Sequence, residues 1–115
     1  MFNLNTINKR YWDIKLRLIV TKIVDKKEIE EEVELNLEVE PPSKKMLTKI
    51  TALSGTKDGK KATDGLYDAV EMLLNKNKVR TKITAESLSN LNLDQINAIL
   101  TSYFEWLSKT KDSKN

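Results

Sequence analysis

Residues 12–40 read WDIKLRLIVTKIVDKKEIEEEVELNLEVE, and this stretch decides the fold. Apolar residues alternate with mostly polar residues from Trp12 onward, and the apolar residues between Ile29 and Val39 alternate mainly with glutamates. A two-residue period is typical of a strand with one buried face, and the charged segment DKKE between the two runs is short enough for a turn. The sequence therefore predicts a long antiparallel β-hairpin over residues 11–40.

The same pattern predicts how the two strands pair. A turn centred on Lys26 and Lys27 puts the alternating glutamates on the solvent face and places Lys15 opposite Glu38. A slip of one residue would turn the glutamates into the core. The expected apolar pairs are Ile14 with Val39, Leu16 with Leu37, Leu18 with Leu35, and Val20 with Val33.

Helical spacing replaces the strand pattern after two prolines, which cannot donate hydrogen bonds to a strand ladder. Ser43 is a candidate N-cap of the first helix and Gly55 a candidate C-cap. A loop over residues 55–61 precedes a second helix, which is expected to begin near Thr63.

The last helix is the strongest of the helical predictions. Asn92 and Gln95 have the spacing of a capping box, in which each side chain accepts a hydrogen bond from the other residue's backbone. The helix is expected to run from Leu93 to about Lys109. A short helical turn capped by Thr84 is expected before it.

Together these elements predict an α+β fold in one domain over residues 1–115. A long N-terminal antiparallel β-hairpin, residues 11–40, packs against three to four C-terminal α-helices within residues 43–109. Residues 110–115 are polar and are expected to form a frayed tail.

Composition argues against catalysis. The 115 residues carry a net charge of +3 and contain neither histidine nor cysteine, which removes the commonest general base, the commonest metal ligand and any disulfide framework. Residues 1–10 lack the apolar stretch of a secretory signal, and no apolar run approaches the roughly 18 residues of a membrane helix. We therefore expect a cytoplasmic protein with no membrane partner.

Carboxylates are the remaining candidates for catalysis or metal binding. Glu30, Glu32 and Glu34 lie on the predicted solvent face beside lysines, where solvated carboxylates make poor general acids. Their spacing along a strand also suits a divalent ion poorly. We predict no catalytic, cofactor-binding or metal-binding residues and a non-enzymatic function.

The C-terminal part of the chain is basic. Residues 1–40 carry 7 basic and 9 acidic residues, whereas residues 41–115 carry 13 and 8. A nucleic-acid-binding regulator is one alternative, but the basic cluster lacks helix-turn-helix spacing and interleaved stacking aromatics, so we do not expect a nucleic-acid partner. The cluster consists of Lys76, Lys78, Arg80 and Lys82.

The length of the hairpin favours contact with another protein. A strand from Trp12 to Val24 spans about 40 Å, whereas a compact chain of this size has a radius of gyration of about 13 Å. The hairpin therefore either overhangs the domain, with unpaired edges that another chain can cover, or is wholly wrapped by its own helices.

Five apolar side chains are candidates for binding a partner. Ile19 and Ile23 lie on the polar face of the first strand, and Met72 lies off the main apolar face of its helix. Phe104 and Trp106 flank the apolar stripe of the last helix, where they either belong to the core or anchor a partner.

The second half of the chain resembles the small tail assembly chaperones of long-tailed bacteriophages and related prophages. The resemblance covers roughly residues 40–115, and the preceding hairpin is consistent with it. Four short motifs carry it: Glu-Pro-Pro-Ser at residues 40–43, Leu-Asn-Lys-Asn at 74–77, Ile-Thr-Ala-Glu-Ser-Leu at 83–88 and Tyr-Phe-Glu-Trp-Leu at 103–107.

This resemblance implies a function in the cytoplasm of the bacterial host. Such chaperones bind the long, apolar tape measure protein before tail assembly and help recruit tail tube subunits. They often self-associate, and they use no cofactor. The alternative within the same setting is a virion structural or adaptor protein, which would stay in the finished particle.

Overall fold

A computed structural model describes residues 2–3, 10–57 and 59–112. Its fold is α+β, with an antiparallel two-stranded hairpin followed by helices, as the sequence predicts. The elements are β1 (Trp12–Val24), β2 (Lys27–Val39), α1 (Lys44–Ser54), α2 (Gly59–Asn75), α3 (Ala85–Leu88) and α4 (Leu93–Asp112).

The register of the hairpin differs by two residues from the predicted one. Trp12 pairs with Val39, whereas the sequence-based register paired Ile14 with that valine. Both registers bury the same faces, because a shift of two residues preserves the alternation of side chains. The observed apolar pairs are Trp12 with Val39, Ile14 with Leu37, Leu16 with Leu35, and Leu18 with Val33.

The turn explains this difference. Its two central residues are Asp25 and Lys26, with φ of 51° and 65°, rather than the predicted pair Lys26 and Lys27. Two-residue hairpin turns of this kind need positive φ at both central positions, and aspartate accepts that conformation more readily than most residues. The prediction that centred the turn one residue later was therefore wrong.

The caps of α1 are those that the sequence predicts, whereas the start of α2 and the end of α4 differ from the prediction. Ser43 accepts a hydrogen bond from the backbone N–H of Met46 at 3.2 Å, and Gly55 is the C-cap of α1. However, α2 begins at Gly59 rather than near Thr63. The segment between the two helices is therefore shorter than predicted.

The capping box of α4 is confirmed in both directions. The backbone N–H of Asn92 donates to Gln95 Oε1, and the N–H of Gln95 donates to Asn92 Oδ1, each at 2.9 Å. The helix continues to Asp112, three residues beyond its predicted end. Residues 113–115, the end of the predicted tail, lie outside the described residues.

The core joins one end of the hairpin to α2 and α4. Trp12 at the start of β1 meets Tyr103 of α4 edge to face, with ring centroids 5.5 Å apart. Leu18 and Val39 are buried beside residues from each of the longer helices. Burial is thus concentrated at the base of the hairpin, where the strands enter the helical part.

Helices α1 and α2 approach closely at Gly65. A Cβ atom at this position would overlap the carbonyl oxygen of Leu53 and lie 3.2 Å from its carbonyl carbon. Only glycine permits this distance between the two backbones. The contact fixes α1 against the helix that carries much of the core.

Two asparagines hold the segment that follows α2. Asn75 accepts from the N–H of Ile83 at 2.7 Å and donates to its carbonyl oxygen at 2.9 Å. The buried Asn77 accepts from the N–H of Thr81 at 2.8 Å and donates to its carbonyl oxygen at the same distance. The side-chain amides thus replace a regular ladder and turn the chain sharply between α2 and α3.

Candidate protein-binding surfaces

The distal half of the hairpin extends beyond the helical part. Residues 21–32, which we call the arm, are all exposed, and they comprise the ends of both strands and the turn. The molecule is correspondingly elongated, with extents of 58 × 35 × 20 Å and a radius of gyration of 16.2 Å. Of the two hairpin arrangements that the sequence left open, the overhanging one is observed.

Three aliphatic side chains on the arm are exposed to solvent. Ile23 is 76% exposed, and Val24 and Ile29 are each 47% exposed. The register places Ile23 on the polar face, and it places Val24 and Ile29 diagonally opposite each other on the face that continues the core. Both faces of the arm therefore carry apolar surface that the described part of this chain does not cover.

Sequence reasoning identified Ile23 and missed the other two. Ile29 lies an even number of residues from the core-facing Val33 and Leu35, so the two-residue pattern assigned it to the buried face. The exposure of Val24 and Ile29 could have been inferred from lengths, because α2 is about 25 Å long whereas each strand is about 40 Å long. Helices of that length cannot cover the whole ribbon.

The hairpin also has open edges. Residues opposite each other in an antiparallel pair direct their N–H and C=O groups either both toward the partner strand or both away from it. The N–H of Lys78 donates to the carbonyl oxygen of Glu38, and the N–H of Glu40 donates to that of Lys76. Even-numbered residues of β2 therefore direct their backbone groups away from β1.

A short segment of the chain covers one end of this edge. Asn77 forms a single antiparallel bridge with Val39, and the chain then turns away through Arg80, whose φ is 62°. The remaining outward groups of β2, from Glu28 to Asn36, have no backbone hydrogen-bond partner among the described residues. We call this stretch the β2 edge.

The solvent face of the hairpin is strongly charged. On this face β2 carries five glutamates, whereas β1 carries two basic residues and one aspartate. Glu34 accepts ion pairs from Lys15 at 3.2 Å and Arg17 at 3.3 Å, and Arg17 also lies 3.8 Å from Glu32. All these side chains are exposed, so each pair contributes little to stability.

The flank of α4 is a second candidate surface. Phe104 and Trp106 are half-buried, with ring centroids 5.8 and 6.0 Å from the buried Tyr103. Arg10 lies 5.6 Å above the Trp106 ring. Phe104 also lines a shallow groove of about 520 Å³ between α1 and α4, beside Leu47 and other residues of both helices.

The other two predicted contact residues are also partly covered. Ile19 is half-buried, and its carbonyl oxygen lies 3.4 Å from the side-chain amide nitrogen of Asn90. Met72 is half-buried against the core and borders a depression next to Leu53. The binding role of the five predicted residues stays a prediction.

The basic cluster after α2 is distributed over a turn. Lys76 is half-buried, and Lys78 lies with its Nζ 5.3 Å from the centre of the Tyr11 ring. Arg80 and Lys82 are exposed. The cluster lies on no helix, so it does not present the recognition helix that would read a DNA groove.

The described residues contain no candidate metal site. No group of three or more Asp or Glu side chains there could hold a metal ion. Burial raises the pKa of Tyr103 to about 12. Within residues 2–3, 10–57 and 59–112, no helix is long and apolar enough to cross a membrane.

Comparisons with protein-family models, with curated proteins and with solved structures find no match to this chain. The resemblance of residues 40–115 to tail assembly chaperones therefore stays a prediction.

Proposed function

We propose that the chain is a non-enzymatic protein-binding module that acts as a phage tail assembly chaperone in the host cytoplasm. It binds the tape measure protein and helps recruit tail tube subunits. The observation that carries the binding role is the arm, residues 21–32, with exposed Ile23, Val24 and Ile29. The resemblance of residues 40–115 supplies the identity of the partner.

The arm suits a protein that holds an apolar partner. Val24 and Ile29 lie diagonally opposite each other on one face of the arm, and neighbouring exposed aliphatic groups of this kind are typical of protein contact sites. Removing an exposed Ile or Val side chain from water contributes roughly 1–3 kcal/mol. Three such residues on the arm can therefore contribute substantially to binding, and the contact would not alter the core, which lies at the base of the hairpin.

Co-expression with a tape measure protein encoded beside this chain tests the proposal. We expect the tape measure protein to become soluble and to co-purify with this chain. The variant Ile23→Ser/Val24→Ser/Ile29→Ser should reduce the co-purified amount about tenfold, because it removes apolar contact while leaving the core intact. A tape measure protein that is equally soluble without this chain would contradict the proposal.

A matched substitution controls for general loss of surface hydrophobicity. Val79 is 70% exposed and follows Lys78, which bonds to the base of β2 at the opposite end of the ribbon from the turn. Val79→Ser should therefore leave co-purification unchanged. Mass spectrometry of purified particles distinguishes the alternative of a virion structural protein, because a chaperone is absent from the finished particle.

A further inference from the structure

We propose that the β2 edge, from Glu28 to Asn36, binds an extended segment of a partner protein in which lysine or arginine alternates with apolar residues. The inference rests on the proposed protein-binding function and adds its binding mode. The segment would pair with the edge as a third, antiparallel strand, a recognised mode of peptide binding.

The edge offers a ladder of unused backbone groups. The backbone groups of Glu38 and Glu40 point away from β1, so those of the other even-numbered residues of β2 do so as well. Each of the following residues therefore directs an N–H and a C=O outward: Glu28, Glu30, Glu32, Glu34 and Asn36. All five residues are exposed. An extended segment can therefore approach the ladder without displacing any described part of this chain.

The chain itself already uses the neighbouring part of this edge in the same way. The sequence Lys-Asn-Lys at residues 76–78 lies antiparallel to β2 at Val39, with backbone hydrogen bonds of 2.8 and 2.9 Å. The turn at Arg80 and the bond from the N–H of Thr81 to the Asn77 side chain end this pairing after one bridge. A partner strand would continue the pairing where residues 76–78 leave it.

Charge selects the chemistry of that partner. In an antiparallel pair, side chains directly opposite each other lie on the same face, so residues opposite the even positions of β2 would lie beside glutamates. Glu28 and Glu30 have no ion-pair partner among the described residues. Lysine or arginine at alternate positions would lie opposite this row of glutamates, whereas an acidic strand would be repelled by it.

The other face of the edge selects apolar residues at the intervening positions. Val33 and Leu35 are half-buried on the core-facing side of β2. Side chains of a partner strand on that side would extend the apolar surface of the ribbon. The partner segment therefore needs the two-residue alternation as well as positive charge.

Titration of the isotope-labelled full chain with synthetic peptides tests this mode. The probe is the capped peptide Lys-Val-Lys-Thr-Lys-Val-Lys-Thr, and its control has the same composition in the order Lys-Lys-Lys-Lys-Val-Thr-Val-Thr. We expect the alternating peptide to shift and protect the amides of Glu30, Glu32 and Glu34, and to bind about tenfold more tightly than the block control. Equal affinity for both peptides would overturn the proposal, because it would mean attraction by charge alone.

Two proline variants locate the edge. Glu30→Pro removes an outward N–H from the β2 edge, and Thr21→Pro removes one from the opposite edge of the same cross-strand pair. Both positions are exposed on the arm, so the core is unaffected. Glu30→Pro should weaken the alternating peptide about tenfold, Thr21→Pro should leave it within twofold, and Glu30→Gln measures the contribution of charge.

Equal effects of the two proline variants would refute the assignment of the edge. Protection of the same amides with rising protein concentration and no peptide would also overturn it, since the occupant would then be a second copy. If Glu30→Pro still solubilises the tape measure protein, the edge inference fails while the proposed function stands. If the edge binds the peptide but the chain does not hold the tape measure protein, the proposed function fails instead.

Discussion

Tyr103 occupies the centre of the aromatic cluster that joins the hairpin to α4. Its ring contacts Trp12, Phe104 and Trp106, and its hydroxyl is buried without a hydrogen-bond partner among the described residues. A buried, unpaired hydroxyl costs free energy relative to its hydrated state in the unfolded chain. Burial also raises the pKa of the phenol from 10.0 to about 12 because the charged phenolate is poorly solvated there.

We predict that Tyr103→Phe stabilises the protein by about 1 kcal/mol at neutral pH, because it removes the unpaired hydroxyl and keeps the ring. The pKa is higher in the folded state, so the unfolded chain loses its proton first. The contribution of the protonated Tyr103 phenol to the free energy of unfolding is therefore fully present below pH 10, and it is lost as the pH rises toward 12. By pH 12 the wild type should therefore lose roughly 2 kcal/mol more stability than the variant.

Urea unfolding of both proteins at closely spaced pH values measures the difference. All other titratable groups are common to both proteins, so their contributions cancel in the comparison. Parallel pH profiles for the wild type and Tyr103→Phe would contradict the burial of the phenol.

At the scale of elements, the hairpin turn decides the pairing of the strands. Asp25 and Lys26 both adopt positive φ, which costs roughly 1–2 kcal/mol per non-glycine residue. The turn lies at the end of the exposed arm, so no tertiary contact compensates for this cost among the described residues. The local sequence is thus not the best one for the turn it forms.

We predict that Asp25→Asn/Lys26→Gly stabilises the arm. This dipeptide is the preferred one for a two-residue turn with positive φ at both positions. Amide hydrogen exchange at Val24 and Lys27, the pair that closes the turn, should slow about tenfold. Global unfolding should change little, because the arm contributes little to the core.

The same dipeptide placed one residue later provides the control. Lys26→Asn/Lys27→Gly would favour the turn that the sequence pattern predicts, at a position where Lys27 belongs to β2. Exchange at the closing pair should become faster in this variant. Slower exchange there than in the first variant would show that the turn is centred on Lys26 and Lys27 after all.

The whole molecule consists of a packed body and an arm that adds length but little burial. Its radius of gyration of 16.2 Å exceeds the value of about 13 Å for a compact chain of this size. Every residue from 21 to 32 is exposed. Stability and partner binding are therefore expected to be separable.

We predict that replacing residues 21–30 with Asn-Gly keeps the body folded. This change joins Val20 to Glu31, which are register partners in the wild type. The free energy of unfolding should stay within about 1 kcal/mol of the wild type, because surface residues contribute little. Small-angle scattering should give a smaller radius of gyration, and binding of the tape measure protein should be lost.

Thermal and chemical unfolding of the shortened chain provides the check on stability. A shortened protein that unfolds would mean that the arm supports the core, contrary to its exposure. If the shortened protein is folded and still binds its partner, the result would indicate that the binding site is the groove between α1 and α4 and not the arm.

The candidate site was only partly predictable from the sequence. Ile23 was identified because an isoleucine on a polar face breaks the alternation. Val24 and Ile29 conform to the alternation, so nothing local marks them as exposed. Phe104 and Trp106 are half-buried, and whether they bind a partner stays a prediction.

The sequence by itself determined the elements and their faces. Strand alternation, the cap at Ser43 and the capping box at Asn92 depend only on a residue and its near neighbours, since the hydrogen bonds involved are local. The α+β class follows from those elements in order.

Tertiary structure decided the two-residue register, the overhang of the arm and the strand bridge at Asn77. Registers two residues apart bury the same faces, so alternation cannot distinguish them. The packing of Trp12 and Val39 at the base and the backbone conformation of the turn select one of them. Overhang depends on how far the helices reach along the ribbon, which is a property of the packed chain and of no single segment.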